Sequence, residues 1–244
     1  MELPGKWAIV TGAGRRIGRT IALALAERGA DIVVHCHRSR EEAETTATQV
    51  KKLGCRAMVI ATDQSDWNAV ERACDEVWSA TGGVDVLVNN AAVYRRTPLS
   101  EIGERDWDEL LDTDLKGPFA WARFLGPRMK ARGWGKIVSI ADAGAERVWP
   151  GYIPYCIAKA GVVAMTRGLA KALAPEVQVN AIAAGTILWP DDFSVAAKAR
   201  ALRDVPLRRV GSPADVARAV CFLVENGDYI TGAVLPVDGG RTMN

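Results

Sequence analysis

The chain of 244 residues is 49% hydrophobic and 25% charged, with 23 glycines and 11 prolines. That balance excludes disorder, collagen and coiled coil, and it suits one α/β domain with a self-sufficient core. Thirty-one Lys and Arg against 29 Asp and Glu leave a formal charge of +2, so the concentrated basic face needed for nucleic-acid binding is not expected.

In chain order, short apolar runs alternate with helical patterns. Strands are expected at Trp7–Thr11, Asp31–Cys36, Arg56–Thr62, Val84–Asn89, Lys136–Ile140, Gln178–Ala183 and Ala233–Val237. Helices are expected at Arg15–Arg28, Arg40–Leu53, Asp66–Ala80, Arg105–Arg132, Ile157–Leu173, Val195–Leu202 and Pro213–Val224. This alternation predicts a doubly wound, seven-stranded parallel sheet with helices on both faces, a single-domain Rossmann fold. A cofactor half runs over about 1–135 and a catalytic and substrate half over about 136–244. Ser212-Pro213 reads as a helix start, Gly54 as a helix stop, and Gly117-Pro118 as a kink or bulge in the longest helix.

The five cysteines, Cys36, Cys55, Cys74, Cys156 and Cys221, are scattered without a C-x-x-C pair. They argue against a disulfide framework or a zinc site and for a reducing compartment. No segment approaches the ~20 apolar residues of a membrane span, so a cytoplasmic protein without membrane partners is expected. His35 and His37 share a strand face but lack a third ligand, and they are read as non-metal.

Thr11-Gly12-Ala13-Gly14-Arg15-Arg16-Ile17-Gly18 follows the first strand and opens the first helix. Glycines there let a pyrophosphate approach backbone N–H groups at a positively polarised helix end. An acidic residue closing the second strand would accept from a ribose 2′-hydroxyl and repel a 2′-phosphate. This chain has His37-Arg38-Ser39 there, which favours NADPH/NADP+. Tyr155 and Lys159, four residues apart, share a helix face. A lysine cation beside the phenol is expected to lower its pKa from about 10 towards neutrality.

Together these residues resemble the short-chain dehydrogenase/reductase family. Thr11–Gly18 resembles its glycine turn and Val88-Asn89-Asn90-Ala91-Ala92 its N-N-A-G stretch. Tyr155 and Lys159 resemble its catalytic pair, and Val237-Asp238-Gly239-Gly240 its C-terminal signature. The resemblance implies Gly12, Arg16, Ile17, Gly18, His37, Arg38, Ser39, Asp63, Asn90, Ala91, Lys159 and Gly185 as cofactor contacts. Asp63 would meet the adenine amino group and Lys159 the nicotinamide ribose. It also implies a homotetramer joined through the long helices and a mobile lid over 187–203.

Several positions depart from the family pattern. Arg16 stands in place of a motif glycine, Asp142 in place of the catalytic serine, Asp114 in place of a helix asparagine, Ala92 in place of glycine and Ala184 in place of proline. The Arg16, His37-Arg38-Ser39 and Asp142 pattern is similar to that of the pteridine reductases in the family, as are Gly151-Tyr152 and Pro206-Leu207. In those enzymes an aromatic ring at the Tyr94 position stacks on the pterin. An ionised Asp142 cannot donate to a carbonyl oxygen that gains charge, whereas an Asp–Tyr pair can organise a proton for ring nitrogen. Ser139, three residues earlier, lies at the opposite strand parity.

The first expectation is therefore NADPH-dependent reduction of a C=N bond in a pterin or dihydrofolate-type substrate. Asp142, Tyr155 and Lys159 would be catalytic, and Arg16, Tyr94, Asp142, Tyr155 and Trp189 would meet the substrate. The alternative is an NADPH-dependent carbonyl reductase, such as a 3-oxoacyl thioester reductase. A third reading is an NADPH-binding protein without turnover. Trp149 and Trp189 fall in loops beside this site, either lining it or packing structurally.

Overall fold

The computed structural model describes residues 2–189 and 193–243. Seven parallel strands form one sheet in the order β3-β2-β1-β4-β5-β6-β7, where β1 is Trp7–Val10, β2 Asp31–Cys36, β3 Ala57–Ala61, β4 Val86–Asn89, β5 Gly135–Asp142, β6 Val177–Ala184 and β7 Val234–Val237. Alternate residues of each central strand feed opposite cores. Ala8, Val10, Ile32 and Val34 meet helices α1 (Arg16–Ala26), α2 (Arg40–Lys52) and α8 (Pro213–Glu225). Ile9, Val33 and Leu87 meet α3 (Trp67–Thr81), α5 (Gly117–Ala131) and the end of α6 (Ile153–Leu173). Burial on both faces is why these strands read as unbroken β-branched runs.

Strand order reverses between β1 and β4, so the loops after both diverge and leave a crevice at their carboxyl ends. Several boundaries differ from the sequence expectation, and two of them matter here. Strand β5 continues to Asp142, pairing with β6 through Asp142 and Ala184. Helix α6 begins at Ile153 rather than Ile157, because Pro154 fits its first turn, where no N–H is needed. Tyr155 is thereby already helical.

The expected break near Gly117-Pro118 is a π-turn over Asp112–Lys116, between α4 (Glu104–Leu111) and α5. Pro118 has no N–H for the carbonyl four residues back, and Gly117 N–H instead bonds Asp112 five residues back. The freed Thr113 carbonyl accepts from Gln64 Nε2 at 2.7 Å. A side chain at 117 would press within 2.8 Å of the Gln64 carbonyl. Ser212 opens α8 with a reciprocal capping box to Asp215, and Gly54 follows α2 at φ +86°. No helix among the described residues is long and apolar enough to cross a membrane. The stretch expected as a lid contains α7 (Val195–Arg203), capped by Ser194; its residues 190–192 lie outside the described residues.

His35 joins the sheet to the glycine turn. Its Nδ1 accepts from Gly12 N–H at 3.2 Å, and its Nε2 donates to Thr62 O at 2.9 Å. Both ring nitrogens are thus engaged within the chain. Burial, chiefly, pushes its pKa down to about 4. The unfolded chain takes up this proton near pH 6.5 and the native chain resists it, so the contribution is complete above pH 6.5 and drains away towards pH 4. Urea denaturation is expected to show roughly 3 kcal/mol less stability at pH 4 than at pH 7 from this group, a loss that is absent in His35→Gln.

Candidate active site

The carboxyl ends of β1, β2, β4, β5 and β6 open onto one cleft of about 2260 Å³, larger than the ~300–1,000 Å³ of a single small-ligand pocket. Every residue singled out in the sequence as a site candidate lines it: Gly12, Arg16, Ile17, Gly18, His37, Arg38, Ser39, Asp63, Asn90, Ala91, Tyr94, Asp142, Tyr155, Lys159, Gly185 and Trp189.

The glycine turn is built by close approach. Gly12 has φ +65°, and a Cβ there would meet Ala91 Cα at 3.0 Å. A Cβ on Gly18 would lie 2.3 Å from Gly12 O. Thr11, which the sequence reading left as the end of a strand, ties the two loops together. Its Oγ1 accepts the N–H groups of Asn90 and Ala91, both at 2.9 Å. Asn90 in turn gives its amide to Thr11 O at 2.8 Å, so its side chain serves the turn itself. Gln64 Nε2 reaches Ala91 O at 3.1 Å. At the far end of the cleft, a Cβ on Gly185 would strike Asp238 Cα at 2.6 Å.

Arg16 adopts φ +53°, a left-handed conformation costly for any residue with a Cβ. This is the position where the family pattern has glycine, so the turn keeps its shape and the arginine bears the strain. Arg38 is exposed at the end of β2 and makes no ion pair among the described residues. His37 Nε2 lies 3.6 Å from Asp63 Oδ2, while Asp63 Oδ1 accepts from Ser65 N and Oγ at 3.0 and 2.7 Å. Partial burial of Asp63 works against ionisation, but the Ser65 hydrogen bonds with His37 and Arg38 nearby outweigh it and hold its pKa below the usual value.

The reactive centre lies between β5 and α6. Tyr155 Oη donates to Asp142 Oδ2 at 2.8 Å, and Asp142 Oδ1 accepts from Gly144 N–H at 2.7 Å. Lys159 is buried, donates to Ile140 O at 3.2 Å and sits 5.6 Å from the Tyr155 ring centre. Its counter-charge is Asp114, fully buried on the π-turn, with Oδ2 3.8 Å from Lys159 Nζ and Oδ1 accepting from Val93 N–H at 2.7 Å. Burial pushes the Asp114 pKa up to about 6, against the pull of Lys159.

This arrangement corrects the expected effect of Lys159 on Tyr155. Burial together with the Asp142 and Asp114 carboxylates raises the phenol well above its ordinary pKa of 10. One cation shared between two acids leaves no surplus positive charge to acidify the phenol. The pKa of Asp142 is raised as well, burial outweighing its hydrogen bonds from Gly144 and Tyr155 and the nearby cations. Ser139 is buried in β5 and accepts from Asn89, so it does not replace the missing alcohol.

Aromatic rings wall the outer part of the cleft. Tyr94 stacks on Tyr152 with centroids 4.7 Å apart and sets its edge on Tyr155 at 4.9 Å. One face of Tyr94 is thus covered by Tyr152. Trp149 and Trp189 both line the cleft, Trp149 entering over Gly144 and Trp189 packing on Phe193 at 5.9 Å. Tyr152, Arg147 and Arg241 also line it. The sequence reading noted Tyr152 only as a likeness and did not single out the two arginines.

Replacing Arg16 by glycine is expected to raise unfolding stability by roughly 1 kcal/mol in urea, by relieving the left-handed strain. The same change is expected to weaken NADPH binding several-fold by calorimetry, because a guanidinium beside the pyrophosphate turn is lost.

A family model described as enoyl-(acyl carrier protein) reductase matches residues 12–242. A 3-oxoacyl-(acyl-carrier-protein) reductase of Staphylococcus aureus strain Mu50 is 38% identical over 242 residues, covering 98% of each chain. A gluconate 5-dehydrogenase from Burkholderia cenocepacia J2315, solved with NADP and tartrate, superposes with a TM-score of 0.93 at 34% identity, over 100% of this chain and 97% of that one. A short-chain dehydrogenase from the same organism, solved with NADP, gives 0.90 at 34% identity over 99% of each. With the glycine turn, Tyr155 and Lys159 converging in one cleft, the chain belongs to the short-chain dehydrogenase/reductase family of oxidoreductases.

Proposed function

We propose that this protein is an NADP(H)-dependent carbonyl reductase, with a 3-oxoacyl thioester or a related small ketone as its substrate class. The cofactor fits the cleft on two counts. The Gly12–Gly18 turn presents backbone where a side chain would not fit, and His37, Arg38 and Ser39 offer donors for a 2′-phosphate at the end of β2. When bound, the dinucleotide supplies the hydride. The similarity to 3-oxoacyl reductases over nearly the whole chain supports the carbonyl class over the C=N class.

The observation that carries the mechanism is the 2.8 Å hydrogen bond from Tyr155 to Asp142. With Asp142 ionised, both of its oxygens accept, so the carboxylate retains the Tyr155 proton and repels a carbonyl oxygen that gains negative charge. With Asp142 protonated, its O–H can donate to Tyr155 Oη, which frees the phenol proton for the substrate oxygen. Tyr155 gives up that proton as the alcohol forms and takes one from Asp142, which is left as the carboxylate. In the reverse direction the Asp142 carboxylate draws the Tyr155 proton while Tyr155 takes that of the alcohol. Burial raises the Asp142 pKa, which extends the reducing form above the usual carboxylate range. Lys159, fixed by Ile140 O and Asp114, holds its ammonium under the phenol and faces the cleft where the nicotinamide ribose is expected.

The same carboxylate favours a second reading, reduction of a ring C=N bond in a pterin or dihydrofolate-type substrate. There the proton goes to nitrogen and no oxyanion forms beside Asp142, and the aromatic walls of Tyr94 and Trp149 suit a flat ring.

NADPH oxidation with acetoacetyl thioester, dihydrobiopterin and dihydrofolate separates the two. The carbonyl reading expects turnover of the thioester and little of the pterins, and turnover confined to the pterins overturns it. Ketone reduction is expected to fall as pH rises through the Asp142 pKa. Asp142→Ser is expected to flatten that profile and raise the rate at pH 8 by about tenfold or more. Arg38→Ala is expected to raise KM for NADPH by about tenfold while leaving that for NADH within about twofold, and an equal change in both would remove the 2′-phosphate assignment.

A further inference from the structure

The outer end of the cleft holds two guanidinium groups with no carboxylate partner among the described residues. Arg241 donates to the Thr186 hydroxyl and lies over the Trp149 ring, 5.2 Å from its centre. Arg147 Nη1 donates to the Arg241 carbonyl at 3.0 Å. Both are only partly exposed, and neither forms an ion pair among the described residues. Arg28, Arg56 and Arg128 each pair with an acid within 2.9 Å or less. Asp142, whose ionisation Arg241 favours through space, already has its oxygens engaged by Gly144 N–H and Tyr155 O–H.

The pair is also held in place. Asp238 accepts from Gly240 N, Thr242 N and Thr242 Oγ1 at 2.7–2.8 Å, which fixes the turn that carries Arg241. A partly desolvated, preorganised pair of guanidiniums without a counter-ion among the described residues is a site for an anion, because each offers N–H donors in a fixed plane. Its position beside Tyr94, Tyr152 and Tyr155 puts that anion next to the reacting bond. The dinucleotide phosphates are expected at the opposite end, at the Gly12–Gly18 turn and Arg38.

We propose that Arg147 and Arg241 bind a carboxylate of the substrate, so that within the small-ketone branch of the carbonyl reading short oxo acids are preferred to their neutral esters. The anion site stands on its own geometry; the words "oxo acid" rest on the carbonyl reading above. In this role Arg241 is the specificity-determining residue, and Arg147 positions it while adding charge.

The test is calorimetric and kinetic. 3-Hydroxybutanoate and its methyl ester are titrated into the full chain with and without NADPH, a reduced cofactor that cannot oxidise them. The acid is expected to bind at least about tenfold tighter than the ester, from its charge-assisted hydrogen bonds. Arg241→Gln is expected to erase that preference and leave ester affinity within about twofold, and Arg241→Lys to restore part of it. Arg147→Gln, which leaves the Thr186 and Trp149 contacts of Arg241 in place, is expected to reduce the preference about threefold or more. In turnover, Arg241→Gln is expected to raise KM for 3-oxobutanoate at least about tenfold more than KM for methyl 3-oxobutanoate.

Equal binding of acid and ester by the unmodified chain overturns the proposal, as does a preference that survives both glutamine variants. Reduction of the ester with no preference for the acid overturns it while leaving the carbonyl reading intact. Tight acid binding with no ketone turnover supports the anion site and sinks the carbonyl reading instead.

Discussion

In the proposed mechanism the hydrogen bond from Tyr155 to Asp142 governs proton transfer in the cleft. Both groups are pushed towards their neutral forms by burial, and each oxygen of the carboxylate is engaged, one by the phenol and one by Gly144 N–H. The proton that a substrate needs is therefore held inside the pair, and its release depends on whether Asp142 carries a second one. An alcohol at this position would donate at any pH; a carboxylic acid donates only while protonated. The second buried acid, Asp114, matters for the same reason. It neutralises Lys159 at 3.8 Å, so the lysine anchors the phenol from below without acidifying it.

The surrounding fold makes such a cluster tolerable. Strand β5 and helix α6 approach Asp142, Tyr155 and Lys159 from opposite sides, and the π-turn before α5 swings Asp114 beneath them. Burying four ionisable groups together is costly. The cost is reduced by backbone partners, Ile140 O for Lys159, Gly144 N–H for Asp142 and Val93 N–H for Asp114, while among the described residues Asp114 Oδ2 has only the Lys159 charge. Strain at Arg16 belongs to the same pattern. A left-handed arginine and a buried neutral histidine are retained where a phosphate-binding turn must hold its shape.

At the outer end, aromatic rings and arginines give the cleft a second character. The stacked Tyr94–Tyr152 pair and Trp149 supply apolar walls, while Arg147 and Arg241 bring positive charge without an ion-pair partner among the described residues. The charge of Arg241 is felt at Asp142. An anionic substrate is then held by one end and meets the acid dyad with the other, which orients the reacting bond.

Much of this was legible in the residue order. Alternating apolar runs and helical patterns carry the sheet and its layers, because period and burial are local properties. The glycine turn, Tyr155, Lys159 and Asp142 were readable as well, since their spacing along strand and helix dictates where they point. The tertiary structure decided what pairing alone can decide. The direction of the Tyr155 shift depends on two acids, 13 and 41 residues away in sequence, sharing one lysine. The role of His35 depends on Gly12 and Thr62 converging on its ring. Arg241 meets Trp149 and Thr186 only because β5, β6 and the loop after β7 end side by side. Electrostatics depends on distances through space, and residue order does not contain them until the strands are paired.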